Sequence, residues 1–181
     1  NAHIAIHNST AQLTHLQLAD GKSYGLYMKK SDVSVSHSEL RNHDDSGIYM
    51  LDGEATLQYT HIFGHTRAFE QQHGTLYAEG LQFVKNDAQW QSNDASTFIK
   101  HSLFRGGKTG LQFTNGDTHL KNVHLTEHDQ TQLSLDRCKT ILTDTAIHSG
   151  YGDGLHARHC PLLQIQHTTI ERHDGEDIIT V

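Results

Sequence analysis

Residues 32–50, DVSVSHSELRNHDDSGIYM, decide the fold. An apolar pair, Val33 and Val35, is followed by a polar corner and then Leu40. A polar run over residues 41–46 leads to Gly47 and a second apolar pair, Ile48 and Met50. Alternate residues of a strand point to opposite faces, so Val35 and Leu40, an odd number of positions apart, share an interior only if the backbone bends between them. The stretch predicts three short strands joined by corners around a common inside, and neither a hairpin nor a helix.

That unit recurs along the chain. A first apolar anchor falls at Leu13, Val35, Leu57, Leu76, Phe98, Leu120, Leu142 and Ile165, at steps of 22, 22, 19, 22, 22, 22 and 23 residues. A second follows five residues later, at Leu18, Leu40, Ile62, Leu81, Leu103, Leu125, Ile147 and Ile170. The third falls at Leu26, Ile48, Phe69, Leu111, Leu133, Leu155 and Ile178, often behind a glycine (Gly25, Gly47, Gly110, Gly154). The fourth coil, around residues 87–91, offers no clear third anchor. A fixed period of this length marks a solenoid, in which each repeat buries its apolar side against its neighbours.

Composition agrees. Only 35% of the 181 residues are hydrophobic and one is proline. A compact globule would call for more apolar residues. A thin rod satisfies its backbone in hydrogen bonds between coils, where proline cannot donate. The formal charge of −7 argues against a nucleic-acid backbone as partner, although the 17 histidines would reverse the balance in mild acid. No apolar run is long enough to span a membrane, and no signal peptide is visible. Cys138 and Cys160 occupy one position in successive coils, a stacking compatible either with a buried reduced pair or with a disulfide, and with no catalytic cysteine. Ile4 and Ile6 read as the last strand of a coil whose start is missing, and residues 177–179 as the same strand again. Residues 1–181 are therefore expected to be one solenoid domain excised from a longer chain, its open ends covered by flanking coils or another protomer.

Leucine-rich repeats share the period, but their second leucine is replaced here by Ser38, Thr60, Glu79, His101, Thr145 and Thr168. An α-solenoid would need long runs of three- and four-residue spacing, which are absent. The pattern resembles, over essentially the whole chain, the right-handed parallel β-helix of the pectin-lyase-like superfamily. The resemblance implies an all-β single solenoid of about eight coils. It makes Gly47–Met50 a first strand, the Val33–Val35 segment a second and the segment ending at Leu40 a third, with residues 41–46 as the variable turn. Family members usually bind polysaccharide along the outer face of the first strand, so the resemblance implies a secreted protein, extracellular or periplasmic.

Alternation places Tyr27, Tyr49, Glu70, Gln89 or a neighbour, Gln112, Ser134 and His156 in one outward row of that strand. Lys29, Leu51, Gln72, Gln91, Thr114, Asp136 and Arg158 form the next. Tyrosine offers a flat apolar face with a polar edge, and arginine pairs well with a uronate carboxylate. Tyr27, Gln72, Gln112, Asp136, Arg67, Arg105 and Tyr151 are the expected substrate-binding residues. A lyase or C5-epimerase needs a base, a group that neutralises the carboxylate, and an acid; Tyr49, Glu70, His156 and Arg158 are the candidates. An ion pair between Arg158 and Asp136, one coil apart, would explain both residues without catalysis. A hydrolase needs paired carboxylates, for which Asp44-Asp45 and the cluster Asp174, Glu176 and Asp177 are available. Neither the Asn-Thr-Asp motif of family polygalacturonases nor the Asp-Pro-His motif of alginate epimerases occurs.

His43 and His65 stack by position, as do His15 and His37, and stacked imidazoles suit zinc or copper. Each pair lacks an obvious third ligand, so no metal and no cofactor is assigned; the remaining histidines read as surface polar residues. The rhythm falters over residues 66–91, where Trp90 either points outward as a sugar platform or inward to fill the missing anchor. Two classes of function are expected: a polysaccharide-binding or polysaccharide-modifying protein (lyase, epimerase or glycoside hydrolase), or a non-catalytic solenoid such as an adhesin, autotransporter passenger or phage-tail element. Convergence of Tyr49, Glu70 and His156 in a concave groove would separate them.

Overall fold

The computed structural model describes residues 2–181. The chain is an all-β, right-handed parallel β-helix of about eight coils, its nineteen strands joined in one sheet by parallel pairings to the coil before and the coil after. The representative coil runs through a first and second strand, continuous over Tyr24–Ser36, and a third over Glu39–Arg41. Among the described residues no helix is long and apolar enough to cross a membrane.

One interior column lies beneath the first strands: Ile4, Leu26, Ile48, Phe69, Trp90, Leu111, Leu133, Leu155 and Ile178 are paired in register. Trp90 thus points inward, fully buried, and supplies the anchor that the fourth coil lacked by pattern. Its ring lies 4.4 Å from Phe69 and 5.8 Å from Phe83 by centroid, with Phe104 beyond at 6.2 Å. The faltering rhythm over residues 66–91 is therefore an aromatic packing cluster in the core.

Register also corrects two anchor columns. Beneath the second strands Leu57 pairs with Ala78, Ala78 with Ile99, and Ile99 with Leu120. Leu76 is buried one column away, beside Ala55, and Phe98 faces outward. Beneath the third strands Phe83 and Phe104 replace the expected Leu81 and Leu103. The sequence offers apolar residues side by side here (Phe98-Ile99, Leu103-Phe104), and a shift of one position exchanges inside for outside. Volume decides: three large rings and an indole fill these coils, in a core that also holds small Ala68 and Ala78.

Every coil has at least one left-handed residue at each of its three corners, for example Lys30, His37 and Asn42, then Asp52, Tyr59 and Gly64. Asparagine, aspartate, histidine and glycine tolerate this backbone best, and β-branched residues poorly. Six of the histidines, His15, His37, His73, His101, His159 and His167, stand at such corners, so much of the histidine content is corner chemistry. After the corner between second and third strands sits a small-residue position. There Ser38, Thr60, Ser102, Thr145 and Thr168 each donate a hydroxyl to the carbonyl two residues back, at 2.8–3.1 Å. The leucine-like position is thus occupied by Leu81 and Ser102, and not by Glu79 and His101. Cys138 and Cys160 bond the same way at another corner, to the carbonyls of Asp136 and Arg158 at 3.3 and 3.4 Å, and both thiols are free. Burial pushes the Cys138 thiol up to about 11, so it stays protonated.

Candidate functional site

The first face carries an outward row, Tyr27, Tyr49, Glu70, Gln91, Gln112, Ser134 and His156, one residue per coil in register. The row beside it is Lys29, Leu51, Gln72, Asn93, Thr114, Asp136 and Arg158. Gln91 stands in the first row, where Gln89 or a neighbour was expected, and Asn93 takes the place expected for Gln91 in the next; Gln89 is buried beside Trp90. A shallow depression of about 150 Å³ lies over Gln72, Gln91, Asn93, Gln112 and Thr114, where the Gln91 amide donates to Gln112 Oε1 at 3.0 Å.

At one end of this face sits a compact aromatic and ionic cluster. The Tyr27 and Tyr49 rings are parallel to within 1° and 5.4 Å apart, and Tyr24 leans on both at 5.7 and 5.2 Å. Arg67 Nη2 pairs closely with Asp45, and Arg67 Nε lies 2.9 Å from Glu70 Oε2. Ser46, buried between them, bridges Arg67 and Glu70 at 3.4 Å each. One guanidinium thus serves two carboxylates, and no positive charge is left over for a uronate. Burial, and then the Glu70 carboxylate, push the Tyr49 phenol above the usual tyrosine value; burial and then Asp45 do the same to Tyr24. Both phenols are held protonated, the opposite of what a base requires.

The four residues expected to act together in catalysis do not meet. Tyr49 and Glu70 are neighbours, but His156 stands five coils beyond Tyr49 along the same row, about 24 Å at the usual strand spacing. Arg158 is one coil beyond Asp136, but the expected ion pair is absent: Asp136 pairs with its neighbour Arg137 at 3.1 Å and lies 3.7 Å from His159. Arg105 closes a third strand and pairs with Glu127 at 2.8 Å, away from the first-face rows. Tyr151 stands in the turn before His156 and is strongly exposed.

Inside the corner between third and first strands runs a polar spine of histidines that the sequence showed as a stacked pair without a third metal ligand, or as surface residues. His43 and His65 stack at 5.1 Å, as do His15 and His37 on the outside at 5.4 Å. The backbone N–H of His43 donates to His65 Nδ1 at 3.1 Å, so that nitrogen is an acceptor and Nε2 must donate to the Leu40 carbonyl, also at 3.1 Å. His65 is therefore locked in one neutral tautomer, and burial lowers its pKa. His43 meets His3 at 3.1 Å and is lowered to about 4, first by burial and then by His65. Gly25 and Gly47 face these rings: a Cβ there would lie 3.0 Å from His43 and 3.1 Å from His65. Further along, His128 is buried, not surface-exposed, and donates from Nδ1 to Gln132 at 2.8 Å; Gln132 in turn bonds His173 at 3.2 Å. Among the described residues no group of three His, Cys, Asp or Glu side chains is placed to hold a metal ion.

The feature that sequence reading missed lies on the second face. Outward-facing Tyr77, Phe98, His119 and Ile141 succeed one another in register. The Tyr77 and Phe98 rings lie 5.2 Å apart and near-parallel, with His119 5.0 Å beyond. Beside them runs the row Gln58, Glu79, Lys100, Lys121 and Thr143, and the two rows wall a groove of about 430 Å³. Lys100 pairs with Glu79 at 3.1 Å; Lys121 makes no ion pair among the described residues. The available signal was the adjacency of Phe98 and Ile99, only one of which can be inward. No protein-family model, no curated protein and no solved structure matches the chain.

Proposed function

We propose that the chain is a recognition solenoid that holds a linear, hydroxyl-rich polysaccharide along its first face, in an extracellular or periplasmic setting. The observation that carries this reading is the unbroken outward row from Tyr27 to His156, with one hydrogen-bonding side chain per coil. A linear polymer presents its own hydroxyls at a similarly regular interval, so each coil repeats the contacts of the last. Binding is favoured over turnover. Tyr49 and His156 are too far apart to share one bond, the Tyr49 phenol is held protonated, and Arg67 is neutralised by Asp45 and Glu70. The shallow first face fits a display role, like that of an adhesin or tail element, better than a polysaccharide lyase, epimerase or hydrolase cleft.

A glycan array probed with the intact chain tests this. Retention of neutral linear glycans is expected, with Gln112→Ala and Tyr49→Ala each weakening it several-fold, and no unsaturated uronate product by ultraviolet absorbance. The reading fails if the folded protein retains no glycan, or if first-face variants bind as well as the parent. Steady product formation would restore the enzyme reading.

A further inference from the structure

We propose that the groove on the second face is a separate binding site for a linear, carboxylate-bearing polysaccharide. The polymer lies along the rod axis, its sugar rings against Tyr77, Phe98 and Ile141 and its carboxylates toward Lys100 and Lys121. The ligand class rests on the glycan reading above; the site does not, since it lies on a different face.

Three observations carry the proposal. The first is that the apolar wall has no structural duty. Ile99 fills the core, which leaves Phe98 outward, and Tyr77 is 44% exposed. The same row is polar on either side, with Ser34 and Thr56 before and Gln164 after. Within this outward row, apolar and aromatic groups are thus confined to four consecutive coils. The second is charge. The groove walls carry Lys100, Lys121 and Glu79, a positive balance on a molecule of net charge −7. With Glu79 answered by Lys100, Lys121 is the cation free to meet an anion.

The third is what the groove does not offer. Its floor is the backbone around Ala78, Ile99 and Leu120, whose N–H and C=O groups are already used between coils. An extended peptide would find no strand edge to pair with, and an acyl chain would lie half in water. The remaining partners are side chains: ammonium, Gln58 amide, Thr143 hydroxyl, the Tyr77 hydroxyl and the His119 ring. These suit carboxylates and hydroxyls, with apolar C–H surface laid on the aromatic wall.

Calorimetric titration of the intact chain with oligogalacturonate, oligomannuronate and methyl-esterified oligogalacturonate tests the assignment. A uronate oligomer should bind, the ester at least about tenfold more weakly, and affinity should fall as salt rises. Phe98→Ser and Lys121→Glu should each weaken binding about tenfold, with circular dichroism confirming the fold, while Tyr49→Ala leaves it unchanged. Lys121→Glu leaves the apolar wall intact and so keeps the test valid if Phe98→Ser fails to fold. The site is overturned if neither acid binds, if the ester binds as tightly as the acid, or if Lys121→Glu has no effect. Loss in Tyr49→Ala alone would move the polymer to the first face, sinking the groove while sparing the glycan reading. Retention of neutral glycans with no uronate binding would do the same.

Discussion

The first and second faces are built on the same coils and the same hydrogen-bond ladder, yet they present opposite chemistry. On the first face polar side chains follow one another, and at one end the ionic groups are spent on each other, Arg67 between Asp45 and Glu70. On the second, exposed Tyr77 and half-buried Phe98 and Ile141 line a groove beside Lys121. In a solenoid the inward columns are held by packing, whereas each outward row is free to vary without cost to the fold. What differs between the faces is therefore set by their outward residues and not by the fold.

The strongest way to break the comparison is to remove what both faces share. Trp90→Ala empties the aromatic cluster of Phe69, Phe83 and Phe104 and should cost about 3–5 kcal/mol, read as a fall in thermal midpoint, with binding at both faces lost together. A variant that lost only one would show that the coils do not act as one scaffold.

Acid should separate the faces. Burial lowers the pKa of His43 (to about 4), His65 and His128, so the unfolded chain takes up protons that the folded chain refuses. The stability these histidines contribute is full above their unfolded value of about 6.5. It is lost progressively as pH falls from there toward 4, by up to roughly 3 kcal/mol for His43. Their spine lies in the corner beside the first strand, so hydrogen exchange at pH 5 should show first-face amides opening before second-face ones. His43→Asn, which places the residue found at Asn86 in the same column, should flatten the pH dependence.

The smallest effect is expected at the ionic cluster. Arg67→Ala leaves Asp45 and Glu70 unpaired on a partly exposed surface, a loss of about 1 kcal/mol or less in denaturant unfolding. Without the cation the Tyr49 phenol should titrate higher still, visible in its ultraviolet spectrum, with the second-face groove unaffected.

The fold was legible because inward residues obey a strict rule. Val35, Leu40 and Ile48 recur every coil, and no other arrangement buries them all. Legibility failed where two apolar residues were adjacent, at Phe98 and Ile99 and at Leu103 and Phe104. There hydrophobicity alone does not say which points in. The first-face rows were read correctly as far as Glu70 and again from Gln112, and misread between them by the same ambiguity around Trp90. That Tyr49 and His156 lie in one row was visible; that five coils keep them from acting together follows only from register along the rod.

By itself the sequence determined the coil: its length, its three strands, its stacking and the identity of most core columns. Tertiary structure alone decided which of two neighbouring side chains entered the core, that Trp90 fills it, that the buried histidines form a neutral spine, and that Phe98 lines a groove. The reason is physical. Burial repeats with the coil and leaves a periodic trace in one dimension, whereas volume, tautomer and pairing depend on neighbours about twenty residues away, which only the stacked coils bring together.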